Sequence, residues 1–446
     1  MKSKVISVIP ISTFSFSLSP IAISNKACRR CNILKAFGIA ALTVLILMDI
    51  AGASPFAYIA NLESNNVSVI DTATDTVTAT VNVGNEPSGT AVSPDGTRVY
   101  VTNCMSNSVS VIDAAKNKVI DTIYVGSYPL GVAFTPDGTK AYVANTASNT
   151  ISVIDTATNN VTATVKVENL PYKIAVSPDG KKVYAVNSGI PPDYQGNVSV
   201  IDTATNNVTA TVNVEKDPHG IAVSPDGTKV YVVNSNSYPY YKGTVSVIDT
   251  ATNNVTATVN VGSLPHGIAV SPNGKRAYVA IDIPGRYSGK SNIDATSHTG
   301  AVDVIDTTKN EVIDRVSVGN YPYEVAVTPD GNKVYVMNYG SNTTSVIDTA
   351  TNNVNSTVPV GRSPTAVAIG PVIKSSSTIG LNGTSFLTPI KQTENQTNDT
   401  GMTANGGTEG KQKRESVPTQ ASIPFLSSIW VLVALLGAVA FVRKMK

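Results

Sequence analysis

Between residues 54 and 371 the chain is built from short runs in which apolar and polar residues alternate, each closed by Pro, Gly, Asn or Asp. A period of two places successive side chains on opposite faces of a strand, and no stretch here has the spacing of an amphipathic helix. Residues Pro87 to Val125 show the pattern. The run Pro87 to Val92 stops at Ser93-Pro94-Asp95-Gly96, where Pro presets one corner of a turn and Gly accepts the positive φ of the next. Arg98 to Asn103, Ser108 to Asp113 and Lys118 to Val125 follow, so one unit predicts four strands.

The unit recurs. Val-Ile-Asp ends at Asp71, Asp113, Asp155, Asp202, Asp249, Asp306 and Asp348, at intervals of 42, 42, 47, 47, 57 and 42 residues. These are one 42-residue unit with insertions of 5, 5 and 15. Four short antiparallel strands per unit predict a propeller blade, because a lone blade has two apolar faces and must stack on neighbours. The region opens with a second-strand run, Ala57 to Asn61, and closes with a first-strand run, Pro364 to Ile369. The expectation is an all-β, seven-bladed β-propeller of four-stranded antiparallel blades, the last run completing blade 1.

The flanks read differently. Ala36 to Met48 is apolar apart from Thr43, follows Arg29, Arg30 and Lys35, and leads into Ala51-Gly52-Ala53. Residues 1–53 are therefore expected to be a signal segment, cut after Ala53 or kept as an anchor. Ile423 to Val442 carries no charge for 20 residues and precedes Arg443 and Lys444. At about 1.5 Å per residue it matches the hydrocarbon core, so 422–446 is expected to be a transmembrane helix or a sorting signal, its basic tail cytoplasmic. Residues 372–421, rich in Ser, Thr, Asn and Gly, are expected to form a flexible stalk. This layout places 54–371 at the cell surface, outside the membrane.

Charge supports that division. The chain holds 33 Lys and Arg against 31 Asp and Glu, but the two flanks take 14 of the basic and 5 of the acidic residues. The middle keeps 19 basic against 26 acidic, a net charge of −7, which disfavours nucleic acid as a partner. Cys28 and Cys31 precede the expected cleavage point, leaving Cys104, expected to be buried and inert. No phosphate loop or nucleophile elbow occurs, so no cofactor and no catalytic residue is assigned.

Candidate chemistry gathers on one rim. All three insertions, Ser188 to Asn197, Ser235 to Thr244 and Asp282 to Ala301, fall in second-to-third loops of blades 4, 5 and 6. The residue after the Pro that opens each innermost strand shares that rim. From blade 2 round to blade 1 it is Ser88, Leu130, Tyr172, His219, His266, Tyr323 and Thr365. Blades 4 to 7 thus present Tyr-His-His-Tyr, and the loops add Tyr194, Tyr238, Tyr240, Tyr241 and Tyr287 with Asp193, Asp282 and Asp294. Tyr offers a flat face and a hydroxyl to a glycan or a protein. Duplication of a Pro-His-Gly motif lining a wet channel is the plainer account of His219 and His266, and the alternative is a metal pair with an Asp to complete the shell. Lys173 and Glu324 replace a small residue of the repeat and can project into the channel.

N-x-Ser/Thr sequons begin at Asn66, Asn160, Asn197, Asn207, Asn254, Asn342, Asn355, Asn382, Asn395 and Asn398. In an exported chain these are glycosylation candidates, although Asn also suits turns on its own account.

Tyr58-Ile-Ala-Asn61, Tyr100-Val-Thr-Asn103, Tyr142-Val-Ala-Asn145, Tyr184-Ala-Val-Asn187, Tyr231-Val-Val-Asn234 and Tyr335-Val-Met-Asn338 resemble the YVTN-repeat β-propellers; the sixth unit departs at Tyr278-Val-Ala-Ile281. Such repeats are common in archaeal, methanogen-type surface-layer and surface-antigen proteins. The resemblance implies a structural or adhesive module of the cell envelope, with envelope glycans or surface proteins as partners and self-association into a lattice as a further expectation. The lactonase-like and lyase-like propellers suggest the rival, an enzymatic or metal-binding rim at His219 and His266.

Overall fold

The structure is a computed structural model that describes residues 55–190, 193–236, 242–283 and 299–371. The expected signal segment, stalk and C-terminal apolar helix lie outside the described residues. Among the described residues no helix is long and apolar enough to cross a membrane. A three-residue 3-10 turn, Cys104–Ser106, is the helical element there.

Twenty-eight described strands form seven four-stranded antiparallel sheets, one per repeat. Blade 1 draws on both ends of the region: Pro364–Ile369 pairs with Phe56–Asn61, Ala57 opposite Ile369 and Ile59 opposite Val367. Asn66–Asp71 and Thr76–Asn82 complete it. The seven innermost strands touch in chain order, and the last returns to the first, closing a ring. The insertion of blade 6 lengthens its ladder as well as its loop, with Asp282 opposite Gly300 and Ile283 opposite Thr299.

The core lies between blades. Seven apolar clusters each join two neighbours; one packs Tyr58, Val67 and Val69 of blade 1 against Val99, Val101 and Ile112 of blade 2. The second-strand Asn is buried in six blades, its Nδ2 donating to a side chain on the third strand, as from Asn103 to Ser110 Oγ at 3.0 Å. Blade 6 replaces both partners. Ile281 takes the Asn position, Asp303 takes the Ser position, and Asp303, fully buried, accepts from Arg315 Nε at 2.6 Å and from the Gly262 N–H at 2.8 Å. The repeated Asp residues serve turns: Asp155 accepts from the Thr158 hydroxyl and N–H, which holds its carboxyl below the usual range.

A basic side chain crosses six of the seven seams. Arg98, Lys140, Lys182, Lys229, Arg276 and Lys333 each open a second strand and donate to a Thr carbonyl of the next blade, at 2.6 to 3.4 Å. Lys333 carries the ring across its closure, reaching Thr72 O at 2.7 Å and the Asp75 carboxylate at 2.8 Å, where Tyr335 also donates. The seam from blade 1 to blade 2 lacks both halves of the latch. Phe56 stands at the basic position and Ala114 at the Thr position, and both line a cleft of about 450 Å³.

Candidate functional site

On one rim a repeated clasp fixes which side chains meet. In every blade the residue after the second-strand Asn, or after Ile281 in blade 6, donates its N–H to the carbonyl of the residue before the rim Pro, as from Cys104 to Glu86, Ser235 to Asp217 and Tyr339 to Tyr321, at 2.9 to 3.3 Å. The acceptor residues Glu86, Tyr128, Leu170, Asp217, Leu264, Tyr321 and Ser363 all have φ between 42° and 56°. None is Gly, so the backbone circling the channel mouth is held in a conformation that non-Gly residues seldom adopt. The clasp, the Pro and the strand register together over-determine it.

The four residues after the Pro in blades 4 to 7 form a closed set. The Tyr172 and His219 rings lie 5.0 Å apart, His219 and His266 stack at 5.4 Å and 3°, and His266 and Tyr323 lie 5.0 Å apart. The Tyr323 hydroxyl returns to the Tyr172 hydroxyl. Burial pushes Tyr172 up to about 12 and holds Tyr323 well above the usual phenol range. One residue on, Lys173 and Glu324 meet at 2.6 Å, joining blades 4 and 7.

The two histidines differ. His219 Nε2 is 3.2 Å from the Asp217 carboxylate and Nδ1 is 3.1 Å from Ser235 Oγ. That hydroxyl donates to Pro265 O at 2.7 Å. His266 is half-buried as a residue, yet both its nitrogens are shielded from solvent and have no hydrogen-bond partner. Burial, with His219 beside it, pulls its pKa down to about 3, so His266 is neutral at pH 7. Among the described residues no three of His, Cys, Asp and Glu gather as a metal site.

Beside this aromatic set the rim opens into a cavity of about 490 Å³, over blades 7, 1, 2 and 3. Tyr172 and Tyr323 line it; His219, His266 and Tyr194 do not. Sequence reasoning passed over three further tyrosines that do, Tyr128, Tyr321 and Tyr339. Their signal was available: Tyr128 and Tyr321 directly precede the rim Pro, and Tyr339 follows the second-strand Asn. The space exists because blades 1 and 2 place Thr365 and Ser88 where blades 4 and 7 place Tyr. Cys104 lies in the wall, its thiol donating to Glu86 O at 3.1 Å; burial and the Glu86 carboxylate push its pKa up to about 11. A thiol so protonated is a poor nucleophile.

The remaining candidates are scattered. Tyr194 is 41% exposed and its carbonyl accepts the Asp217 N–H, while Tyr238, Tyr240, Tyr241, Tyr287 and Asp294 lie outside the described residues. Among the sequons, Asn160, Asn207, Asn254 and Asn355 are exposed, as is Asn342, whose Oδ1 accepts the Ser363 N–H. Asn66 and Asn197 are half-buried and accept from Asn61 and Asn187. Asn382, Asn395 and Asn398 lie outside the described residues.

A family model described as a YNCE-like β-propeller matches residues 13–135, a stretch ending in the third repeat. The chain is a seven-bladed β-propeller. No curated protein matches it. Among solved structures, the propeller is similar to Kuenenia stuttgartiensis hydrazine synthase, with 24% identity and a TM-score of 0.59 over 65% of this chain and 90% of that one. It is also similar to a functionally unknown protein from Desulfotomaculum acetoxidans, with 17% identity and a TM-score of 0.58 over 71% of this chain and 99% of that one. At these identities the likeness carries the fold alone.

Proposed function

We propose that this propeller is a binding module of the cell surface, structural or adhesive in its work, which holds an envelope glycan or surface protein on the rim that carries the tyrosines. The observation that carries the reading is the cavity at the channel mouth, into which five tyrosines from blades 3, 4 and 7 face. A rigid aromatic surface bearing hydroxyls binds at low entropic cost. The archaeal surface-layer setting rests on the resemblance of the repeats, and the membrane attachment on the apolar stretch Ile423 to Val442. The acidic balance of residues 54–371 argues against nucleic acid. Co-sedimentation of the purified full chain with isolated cell envelopes tests this: retention that falls in Tyr339→Ala supports it, and no retention of the native chain refutes it.

A second reading has one observation in its favour. The unpartnered nitrogens of His266, stacked on His219, are donors a metal could engage, as in a lactonase-like or lyase-like propeller. Metal analysis of the full chain decides it, since stoichiometric metal lost in His219→Ala/His266→Ala would establish the rival.

A further inference from the structure

We propose that the channel-mouth cavity over blades 7, 1, 2 and 3 binds an uncharged mono- or disaccharide, and that the lengthened loops of blades 4 to 6 are not the main recognition surface. This rests on the rim-binding reading and names its ligand class and place. None of the twelve residues that line the cavity is charged. An anionic ligand would lose its hydration there without gaining a counter-charge, which is costly in a half-enclosed space. Glu86 lies behind the wall, its carboxylate 3.6 Å from the Cys104 thiol, and repels an anion, while Glu324 below is tied to Lys173.

A wholly apolar ligand fits no better, because the wall mixes ring faces with polar groups: tyrosine hydroxyls, Ser88, Thr365 and the Asn320 amide. Each of those groups needs a partner when water leaves. A pyranose supplies both halves, C–H groups for the rings and hydroxyls for the polar atoms. The volume of about 490 Å³ lies in the range of small-ligand pockets and suits a mono- or disaccharide rather than a protein face.

The floor is preorganised. Tyr172 and Tyr323 spend their hydroxyls on each other, and His219 and His266 brace them from behind, so their rings are fixed before a ligand arrives. The rings at the wall, Tyr321 and Tyr339, pack at 5.5 Å, and their backbones are clasped at 2.9 Å. Such a site loses little entropy on binding.

The test is titration calorimetry of the full chain with neutral saccharides (maltose, lactose, mannobiose) and with glucuronate, for the native protein, Tyr339→Ala, Ser88→Trp and Tyr124→Ala. Tyr124 is 78% exposed on an outer strand, outside the cavity. We expect at least one neutral sugar to bind, glucuronate to bind at least tenfold more weakly, Tyr339→Ala and Ser88→Trp to weaken the neutral sugar at least tenfold, and Tyr124→Ala to change nothing. Ser88→Trp fills the cavity without removing an aromatic, so agreement of the two variants excludes a folding defect peculiar to one. Equal binding of glucuronate, or unchanged affinity in Ser88→Trp, overturns the proposal. No neutral sugar binding while envelopes still retain the chain overturns the cavity proposal and leaves the rim reading standing; loss of both removes both.

Discussion

Lys173 of blade 4 and Glu324 of blade 7 form an ion pair at 2.6 Å across the channel, although 151 residues separate them in the chain. Directly above, Tyr172 and Tyr323 join the same two strands. The innermost strands can come this close because the other blades keep the position small: a Cβ on Gly89 would meet Leu130 O at 2.0 Å, and one on Gly220 would meet His266 O at 2.3 Å. Two stacked cross-links thus set blades 5 and 6, which carry the histidines, apart from the open side over blades 1 to 3. The repeat is sevenfold, but the channel is built around one chord.

Removing one end of that chord should cost more than removing both. The side chains of Lys173 and Glu324 are 18% and 15% exposed, so Lys173→Met strands a mostly buried carboxylate. The expected loss is about 3 kcal/mol, with Lys173→Met/Glu324→Met recovering at least half of it. Denaturant unfolding of the three variants measures the cycle. A double variant as unstable as the sum of the singles would show that the pair does not act as a unit.

His266 should make the fold acid-sensitive in a defined window. Its folded pKa of about 3 lies below the unfolded value of 6.5, so the unfolded chain takes up the proton first. Stability is unaffected above about pH 6.5 and is lost progressively as pH falls towards 3. The groups around the ring are His219, Tyr321 and Tyr323, with Asp217 near enough to favour protonation. His266→Phe keeps the aromatic packing and removes the titration. The native melting temperature should drop more between pH 7 and pH 4.5 than that of the variant; equal drops would show that the imidazole is solvated.

The blades were legible because the repeat states them seven times and the strand period is local. The four rim aromatics were legible too, since one register position after a Pro fixes their height. What the sequence left open was which of them touch. Lys173 and Glu324 read as two separate departures from Gly, and their meeting needs the ring diameter, which no local pattern encodes. Tyr128 and Tyr321 were missed because the residue before Pro looks like linker; its left-handed backbone becomes evident only with the clasp in place. The departure at Ile281 was noticed without its complement. Asp303, the second residue of the facing Val-Asp-Val-Ile-Asp run, stands where the other six blades carry Ser, and the two changes make sense only as a cross-strand pair.

That pair yields a reciprocal prediction. Arg315→Met leaves Asp303, 0% exposed, with only the Gly262 N–H, and should destabilise by about 3 kcal/mol. Restoring the pattern of the other blades with Ile281→Asn/Asp303→Ser should make Arg315→Met nearly harmless, within about 0.5 kcal/mol. Thermal unfolding of the triple variant beside Arg315→Met checks it. A persistent loss would mean that Arg315 stabilises through its own packing.

The unlatched seam gives the last prediction. At six seams a Lys or Arg reaches the next blade's turn carbonyl, and at the seventh Phe56, 38% exposed, faces a cleft with Ala114 opposite. The same register position in every other blade supports a basic residue, so the backbone at Phe56 is already placed for one. Phe56→Lys should donate to the Ala114 carbonyl, and Ala114→Thr should add the bond that Thr156 makes to Gly138 O at 2.5 Å, here to Gly96. Each new bond is worth about 1 kcal/mol, against a smaller loss from Phe56, whose side chain is only partly covered. The double variant should therefore unfold at a higher denaturant midpoint than the native chain with the same slope. A lower midpoint would mean that Phe56 and Ile120 bury more apolar surface in that cleft than the exposed fractions indicate, and that the seam is held by contact rather than by a latch.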